Sequence, residues 1–240
     1  MSVESMSGTL YLVPNLLGAV PPGNVLPDRT IAVARALTHW VVETPKAARA
    51  FIKTLDPPLP IGSLDMQELG ESPTAGQVAV LLAPLRSGVD VGVLSDAGCP
   101  GVADPGAVLV AAAHGAGLRV VPLVGPSAML LALMASGMNG QSFAFHGYLP
   151  VKAEQRAAAL QRLEGESRAR RQAQLFIETP YRNEAMLGAI AAALHPGTQV
   201  CIAADLTLPS ETIARHSARD WKTRDHAQFS KRPALFVLQA

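Results

Sequence analysis

Two stretches of this chain pass from an apolar run through a glycine-rich turn into a helix-like segment. That repetition restricts the fold more than any other feature. In the first, Val89 to Val93 leads into Leu94-Ser95-Asp96-Ala97-Gly98-Cys99-Pro100-Gly101-Val102-Ala103-Asp104-Pro105-Gly106 and then Ala107 to His114. In the second, Arg119 to Val124 leads into Gly125-Pro126-Ser127-Ala128 and then Met129 to Ala135. Glycine lacks the Cβ that would keep a ligand away from backbone N–H groups. Two strand ends of this kind place two loops on one edge of a parallel sheet, where ligands sit in open α/β folds. One such turn alone reads equally well as loop punctuation; two in succession, each with a helix behind it, point to a small-molecule cofactor.

Strand-like and helix-like segments alternate along the chain, which predicts α/β layering. Leu10 to Val13, Trp40 to Val42, Val91 to Leu94 and Val120 to Leu123 read as buried strands, with helices over Thr30 to Leu37 and Gly76 to Leu85. Consecutive prolines make Asp56 to Ser72 a loop. A second set follows: helices over Glu154 to Leu163 and Glu184 to Leu194, and strands over Gln174 to Ile177, Gln199 to Ala203 and Ala234 to Leu238. Gly137, Gly140 and Gly147 interrupt the pattern between the sets. The division expected is an N-terminal α/β domain, 1–140, and a C-terminal one, 141–240.

An apolar fraction of 49% with 16% charged residues excludes a disordered chain. No apolar run has the ~18 residues of a membrane span, and Met1 to Ser7 lacks the basic start and apolar core of a signal peptide. A cytoplasmic protein with reduced thiols is expected. Cys99 and Cys201 stand apart without metal-ligand spacing, as do His39, His146, His195 and His216, so no metal is expected. Charge is uneven: residues 125–240 hold thirteen of the 20 Lys and Arg, twelve of them in Lys152 to Arg171 and Arg215 to Arg232. Neither stretch is a solid basic run, so each reads as a solvated face or as a rim for phosphates.

Taken together, Ser95 to Pro100, Asp104-Pro105-Gly106 and Val121 to Ala128 resemble the tetrapyrrole methylase superfamily of S-adenosylmethionine (SAM) methyltransferases, and most of all its ribosomal-RNA-methylating branch. Further segments agree in order: Gly8 to Pro14, Gly147 to Lys152, Leu175 to Arg182 and Ala203 to Thr207. The resemblance implies two α/β domains of the tetrapyrrole methylase type with a cofactor cleft between them. It implies SAM as methyl donor, a homodimer, and RNA or a ribosomal subunit as substrate, through ribose 2′-O-methylation. A tetrapyrrole or another small acidic acceptor, or a non-catalytic SAM-binding dimer, are the alternatives it leaves.

By the same resemblance, Pro14, Asp96, Gly98, Cys99, Pro100, Val102, Ser127 and Ala128 would meet SAM, as would Thr179, Leu206, Pro233 and Ala234 from the second domain. Glu178, Lys152 and Arg182 are the candidates for orienting the acceptor or handling its proton. Plainer readings stand beside these. Ser127 fits a helix N-cap, and Asp104-Pro105 fits a cap followed by a first-turn proline. Leu206 and Ala234 fit a core. Glu178, ending an apolar run with Arg182 four residues on, fits a polar pair at a cleft or an exposed pair at a strand end.

The chain also departs from the branch it resembles. Its first-strand turn is Pro14-Asn15-Leu16-Leu17-Gly18, extended before Gly23-Asn24. An acidic Glu-Asp-Thr-Arg appears as Glu43-Thr44-Pro45-Lys46, and Arg-Glu-Leu-Thr-Lys as Ala204-Asp205-Leu206-Thr207-Leu208. Lys-Gly-Glu has become Lys231-Arg232-Pro233, and a His has become Tyr181. Cofactor turns are kept while substrate-side residues change, the pattern of a diverged paralogue.

Overall fold

The computed structural model describes residues 7–240; the segment on which the signal-peptide reading rests lies, except for Ser7, outside the described residues. The chain forms two compact units, the first ending at Ser127 and the second beginning at Ala128.

The first unit is built on a five-stranded sheet of order β3-β2-β4-β1-β5, formed by β1 (Thr9–Leu12), β2 (His39–Val42), β3 (Asp65–Glu68), β4 (Val91–Leu94) and β5 (Arg119–Pro122). Every pairing in it is parallel. β4 is buried along its whole length, as a strand covered on both faces must be, which is why it is an unbroken apolar run. Helices α1 (Asp28–Ala36) and α2 (Pro45–Thr54) contribute Ala34, Ala48, Phe51 and Ile52 to one core cluster with Trp40 and Leu94. Helices α3 (Ala75–Leu81), α4 (Ala83–Arg86) and α5 (Gly106–Gly115) contribute Val78, Leu81, Leu85, Leu109 and Ala113 to a second, with Leu10 and Val93. β1 therefore leads to a helix in one cluster and its neighbour β4 to a helix in the other. Their carboxyl ends form the crevice at which open α/β sheets bind ligands.

Three details differ from the sequence reading. The expected loop 56–72 contains β3, an edge strand whose Asp-Met-Gln-Glu sequence is mostly exposed and so lacks an apolar signature. Gly76 to Leu85 is two helices. Pro84 has no N–H and its ring collides with the preceding turn, so the helix restarts at Ala83, with Pro84 in its first turn. Helix α2 went unread, although Pro45 at its first position and Ala48, Phe51 and Ile52 on one face mark it.

The second unit has a five-stranded sheet of order β6-β7-β10-β8-β9, from β6 (Phe143–Tyr148), β7 (Ala173–Glu178), β8 (Gln199–Ala204), β9 (Thr212–Ser217) and β10 (Ala234–Gln239). β6 and β7 are parallel; the other pairs are antiparallel. Helices α6 (Ala128–Ser136), α7 (Ala153–Arg170), α8 (Asn183–Ala193) and α9 (Ala218–Trp221) complete it, and α6 packs on β8, β9 and β10. The core centres on Phe176 and Phe236, stacked with ring centroids 5.2 Å apart, and on buried Trp221. Gly147 was read as an interruption; it sits instead in a register break of the β6–β7 pairing, between Phe145 and Tyr148. Helix α7 runs past Leu163 to Arg170 and stops where Arg171 turns left-handed at φ 53°.

Candidate functional site

At the crevice of the first unit, the end of β1 and the turn after β4 are sewn together. Asn15 is buried, and its backbone N–H donates to the Gly98 carbonyl at 2.8 Å. Its side-chain amide donates to the carbonyls of Ser95 and Asp96, each at 3.0 Å, while its Oδ1 accepts from the Leu16 N–H at 2.8 Å. One side chain thus satisfies backbone groups on two turns that strand pairing leaves without partners. Gly98 takes φ 69°, the left-handed region that a side chain resists.

The remainder of the β4 turn is held by carboxylates. Glu43 accepts from the Asp96 N–H at 3.0 Å, and the Thr44 hydroxyl donates to the Asp96 carboxylate at 2.7 Å. Asp104 accepts from the Gly101 N–H at 2.9 Å and from the Gly106 N–H at 2.7 Å. Pro105, not Asp104, stands at the N-cap of α5 and offers no side-chain cap, so the reading of a cap followed by a first-turn proline is corrected. The Asp104 carboxylate, one residue earlier, closes the turn that leads into the helix. The Cys99 thiol donates to the Pro126 carbonyl at 3.5 Å, tying the β4 turn to the β5 turn. Burial pushes this thiol above its ordinary value, and the negative charge of Asp104 adds to the shift. On the other side, Thr30 donates to the Val124 carbonyl at 2.8 Å.

Beside these turns lies a hollow of about 460 Å³, lined by Leu12, Cys99, Gly101, Val102, Val110 and Leu123 among others. Its volume falls within the range of about 300–1,000 Å³ common for small-molecule sites, and its walls are mostly apolar, as such sites are. Cys99, Pro100 and Val102 line it directly, whereas Pro14 is buried and Asp96 is engaged by Glu43 and Thr44. Ser127 stands immediately before α6, which opens at Ala128.

The candidates of the second unit gather at one edge of its sheet. Ala234 pairs with Glu178 on one side and with Ala204 on the other. The carboxyl ends of β7 and β8 and the start of β10 are therefore adjacent, bringing Glu178, Thr179, Leu206, Pro233 and Ala234 together. Glu178 is buried; its Oε1 accepts from the Thr179 N–H at 2.7 Å and from Arg182 Nε at 2.8 Å, with Arg182 Nη2 closing the pair. The two residues pair as expected, and because the carboxylate is buried the exposed-pair reading does not hold. The other Glu178 oxygen is buried without a partner, as are Asn183 Oδ1, Thr207 Oγ1 and Arg156 Nε. At the same edge Asp205, Thr207 and Lys231 adopt left-handed φ of 52°, 73° and 60°. Strained backbone and unpaired buried polar atoms concentrate at functional sites.

The altered residues of this edge bind one another. Arg232 Nε donates to Asp205 at 2.8 Å, and its Nη atoms reach Thr212 Oγ1, at 3.0 Å, and the carbonyls of Gln228 and Ser210. Sequence reasoning missed Asn15, Asn183 and this pair. Asn15 was in view as part of a changed turn, but nothing local says that it reaches across to the β4 turn. Among the described residues no cluster of His, Cys, Asp and Glu is arranged to hold a metal, and no helix is long and apolar enough to cross a membrane.

The family model for tetrapyrrole (corrin/porphyrin) methylases matches residues 29–221. A curated relative from Escherichia coli O157:H7, ribosomal RNA small subunit methyltransferase I, is 32% identical over 213 residues, covering 88% of this chain and 70% of that one. A relative of the same name from Micromonospora olivasterospora is 37% identical over 212 residues, covering 88% of this chain and 64% of its own. Among solved structures, the methyltransferase CobJ superposes with a TM-score of 0.62 at 20% identity, covering 98% of this chain and 94% of its own. That likeness shows the fold.

Proposed function

The chain belongs to the tetrapyrrole methylase family, and on that premise we propose that it transfers a methyl group from SAM to ribosomal RNA of the small subunit, at a ribose 2′-hydroxyl. The observation that carries the cofactor half is the pair of turns cross-tied by Asn15 and Cys99 beside an apolar hollow. The first-unit residues fit SAM. Backbone and small side chains at Cys99 to Val102 border the hollow, Pro14 is buried just past the end of β1, and Ser127-Ala128 follow the β5 turn. Thr179, Leu206, Pro233 and Ala234 are assigned to the same ligand from the second unit.

Bound there, SAM supplies a methyl group already activated by its sulfonium, so the protein's contribution is alignment and exclusion of water, worth up to ~7–11 kcal/mol. Glu178, fixed by Arg182, is assigned to orienting the acceptor. A carboxylate held by its own cation keeps one geometry. Lys152, exposed just ahead of α7, and Arg182 are assigned to acceptor phosphates.

The acceptor rests on the names of the curated relatives, which share nearly nine-tenths of this chain. A tetrapyrrole or small acidic acceptor remains the second reading, favoured by the internal Arg232–Asp205 pair, which removes a cation from the substrate edge. A homodimer and a cytoplasmic location complete the proposal; exposed apolar side chains such as Met134, 77% accessible, suit self-association.

The test is calorimetric titration with SAM and S-adenosylhomocysteine, then transfer of labelled methyl to unmodified small ribosomal subunits, each beside a Ser127→Trp variant. Micromolar binding and RNA labelling, both lost in the variant, are expected. Binding with labelling of a tetrapyrrole instead moves the acceptor. No binding of either ligand overturns the cofactor assignment.

A further inference from the structure

The start of helix α7 carries two cations, Lys152 and Arg156, and one carboxylate, Glu154. Its N-cap is Lys152, and no side chain caps the first turn, so the positive end of the helix dipole stands open. Arg156 folds back onto that end: its Nη1 donates to the carbonyl of Val151, the residue before the cap, at 3.3 Å. This is the one side-chain hydrogen bond Arg156 makes among the described residues, and its Nε is buried without a partner. The residue is 8% exposed. No carboxylate lies within ion-pair distance of it among the described residues. Glu178 is taken by Arg182 and Glu166 by Arg162, while Glu154, on the first turn itself, is exposed and forms no ion pair.

A cation at a helix N-terminus meets the wrong end of the dipole, and a buried guanidinium without an anion is strongly disfavoured. A structural role for Arg156 would call for a carboxylate, or for the full set of carbonyl acceptors that its five donors can take. It has one carbonyl. Val151, Lys152, Ala153 and Glu154 are all exposed, so the helix end is open to solvent.

We propose that the first turn of α7, with Arg156 and Lys152, is a phosphate-binding subsite that seats a phosphodiester of the acceptor RNA. An oxyanion there gains backbone N–H groups, the dipole, a point charge from Lys152 and the forked donors of Arg156, the combination that suits a tetrahedral phosphate. That the phosphate belongs to RNA rests on the function proposed above; that the subsite takes phosphate does not.

The experiment uses the full chain and Arg156→Met, which keeps the volume and removes the charge, with Arg156→Lys as a second variant. Inorganic phosphate is titrated while melting temperature is followed at fixed ionic strength, and affinity for a small-subunit RNA fragment is measured from low to moderate salt. Phosphate is expected to raise the melting temperature of the unmodified chain by about 2 °C or more. Arg156→Met should melt no lower than the unmodified chain without phosphate, show no phosphate shift, and lose about 0.7–0.9 from the slope of log affinity against log salt. Arg156→Lys should keep part of the shift. A phosphate shift that survives in Arg156→Met, or a Met variant that melts several degrees lower without phosphate, overturns the proposal. If the unmodified chain shows the phosphate shift but binds no RNA, the subsite stands and the RNA reading fails.

Discussion

Gly125 lies against Pro14 so closely that a β-carbon on it would sit 2.3 Å from the proline Cγ. The Pro14 ring just past β1 is thus packed directly against the Gly125 backbone in the turn after β5. Gly125→Ala must push these two segments apart, at a cost of about 1–3 kcal/mol for overpacking. We expect a lower melting temperature and at least a tenfold loss of SAM affinity by calorimetry. An alanine variant with unchanged affinity would show that the crevice does not depend on this contact.

The Cys99 thiol reports the closure of the same turns, and Cys201, buried in β8, provides a second thiol for comparison. Burial, then Asp104, raises Cys99 above its ordinary value of 9.0. Burial takes Cys201 up to about 11, against a smaller opposing pull from Arg215. Both are therefore protonated at pH 8 and should alkylate slowly in the native protein, and fast after denaturation. Because the folded-state values are raised, the stability they contribute is complete below pH 9 and declines as pH rises through 9 toward 11. Asp104→Asn keeps an oxygen for the Gly101 and Gly106 N–H groups and removes the charge. Iodoacetamide should then modify Cys99 faster at pH 8, read by mass spectrometry.

Arg182→Met leaves the buried Glu178 carboxylate with the Thr179 N–H as its remaining donor. Breaking a buried pair costs about 3–5 kcal/mol. The lower end is expected here, because the Arg182 side chain keeps 27% exposure. Replacing both residues with methionine should recover most of the loss in a urea unfolding cycle. A purely additive double variant would mean that the pair is not coupled.

Thr207 is β-branched, sits at φ 73° and buries a hydroxyl with no partner. Thr207→Gly removes both penalties, and a gain of about 1–2 kcal/mol in unfolding free energy is expected. If methyl transfer falls while stability rises, the strain at this edge serves the site. If stability falls instead, Thr207 holds a contact that outweighs its strain.

Much of this molecule is written in short-range pattern. β4 is readable because a strand buried along its whole length must be apolar, and the turns after β4 and β5 because glycine and proline mark them. β1 and β5 are readable from their short apolar runs, although β5 is a partly exposed edge strand and not the buried one expected. The four-residue spacing of Glu178 and Arg182 made their pairing readable as well. β3 was unreadable because an exposed edge strand needs no apolar face. β9 was missed too, although Thr212 to Ser217 pairs along its whole length with β8.

By itself the sequence determined most of the strands and helices, where the glycine-rich turns fall, and to which family the chain belongs, because periodicity and turn chemistry act within a few residues. Only the tertiary structure decided which polar groups meet. Asn15 reaches the Ser95 carbonyl across a sequence separation of 80, and Arg232 reaches Asp205 across 27. Those meetings depend on strand order and register, which packing of the whole sheet fixes, and a residue's neighbours along the chain carry no trace of them. The same holds for Arg156, whose missing counter-ion becomes visible only when everything around it is in place.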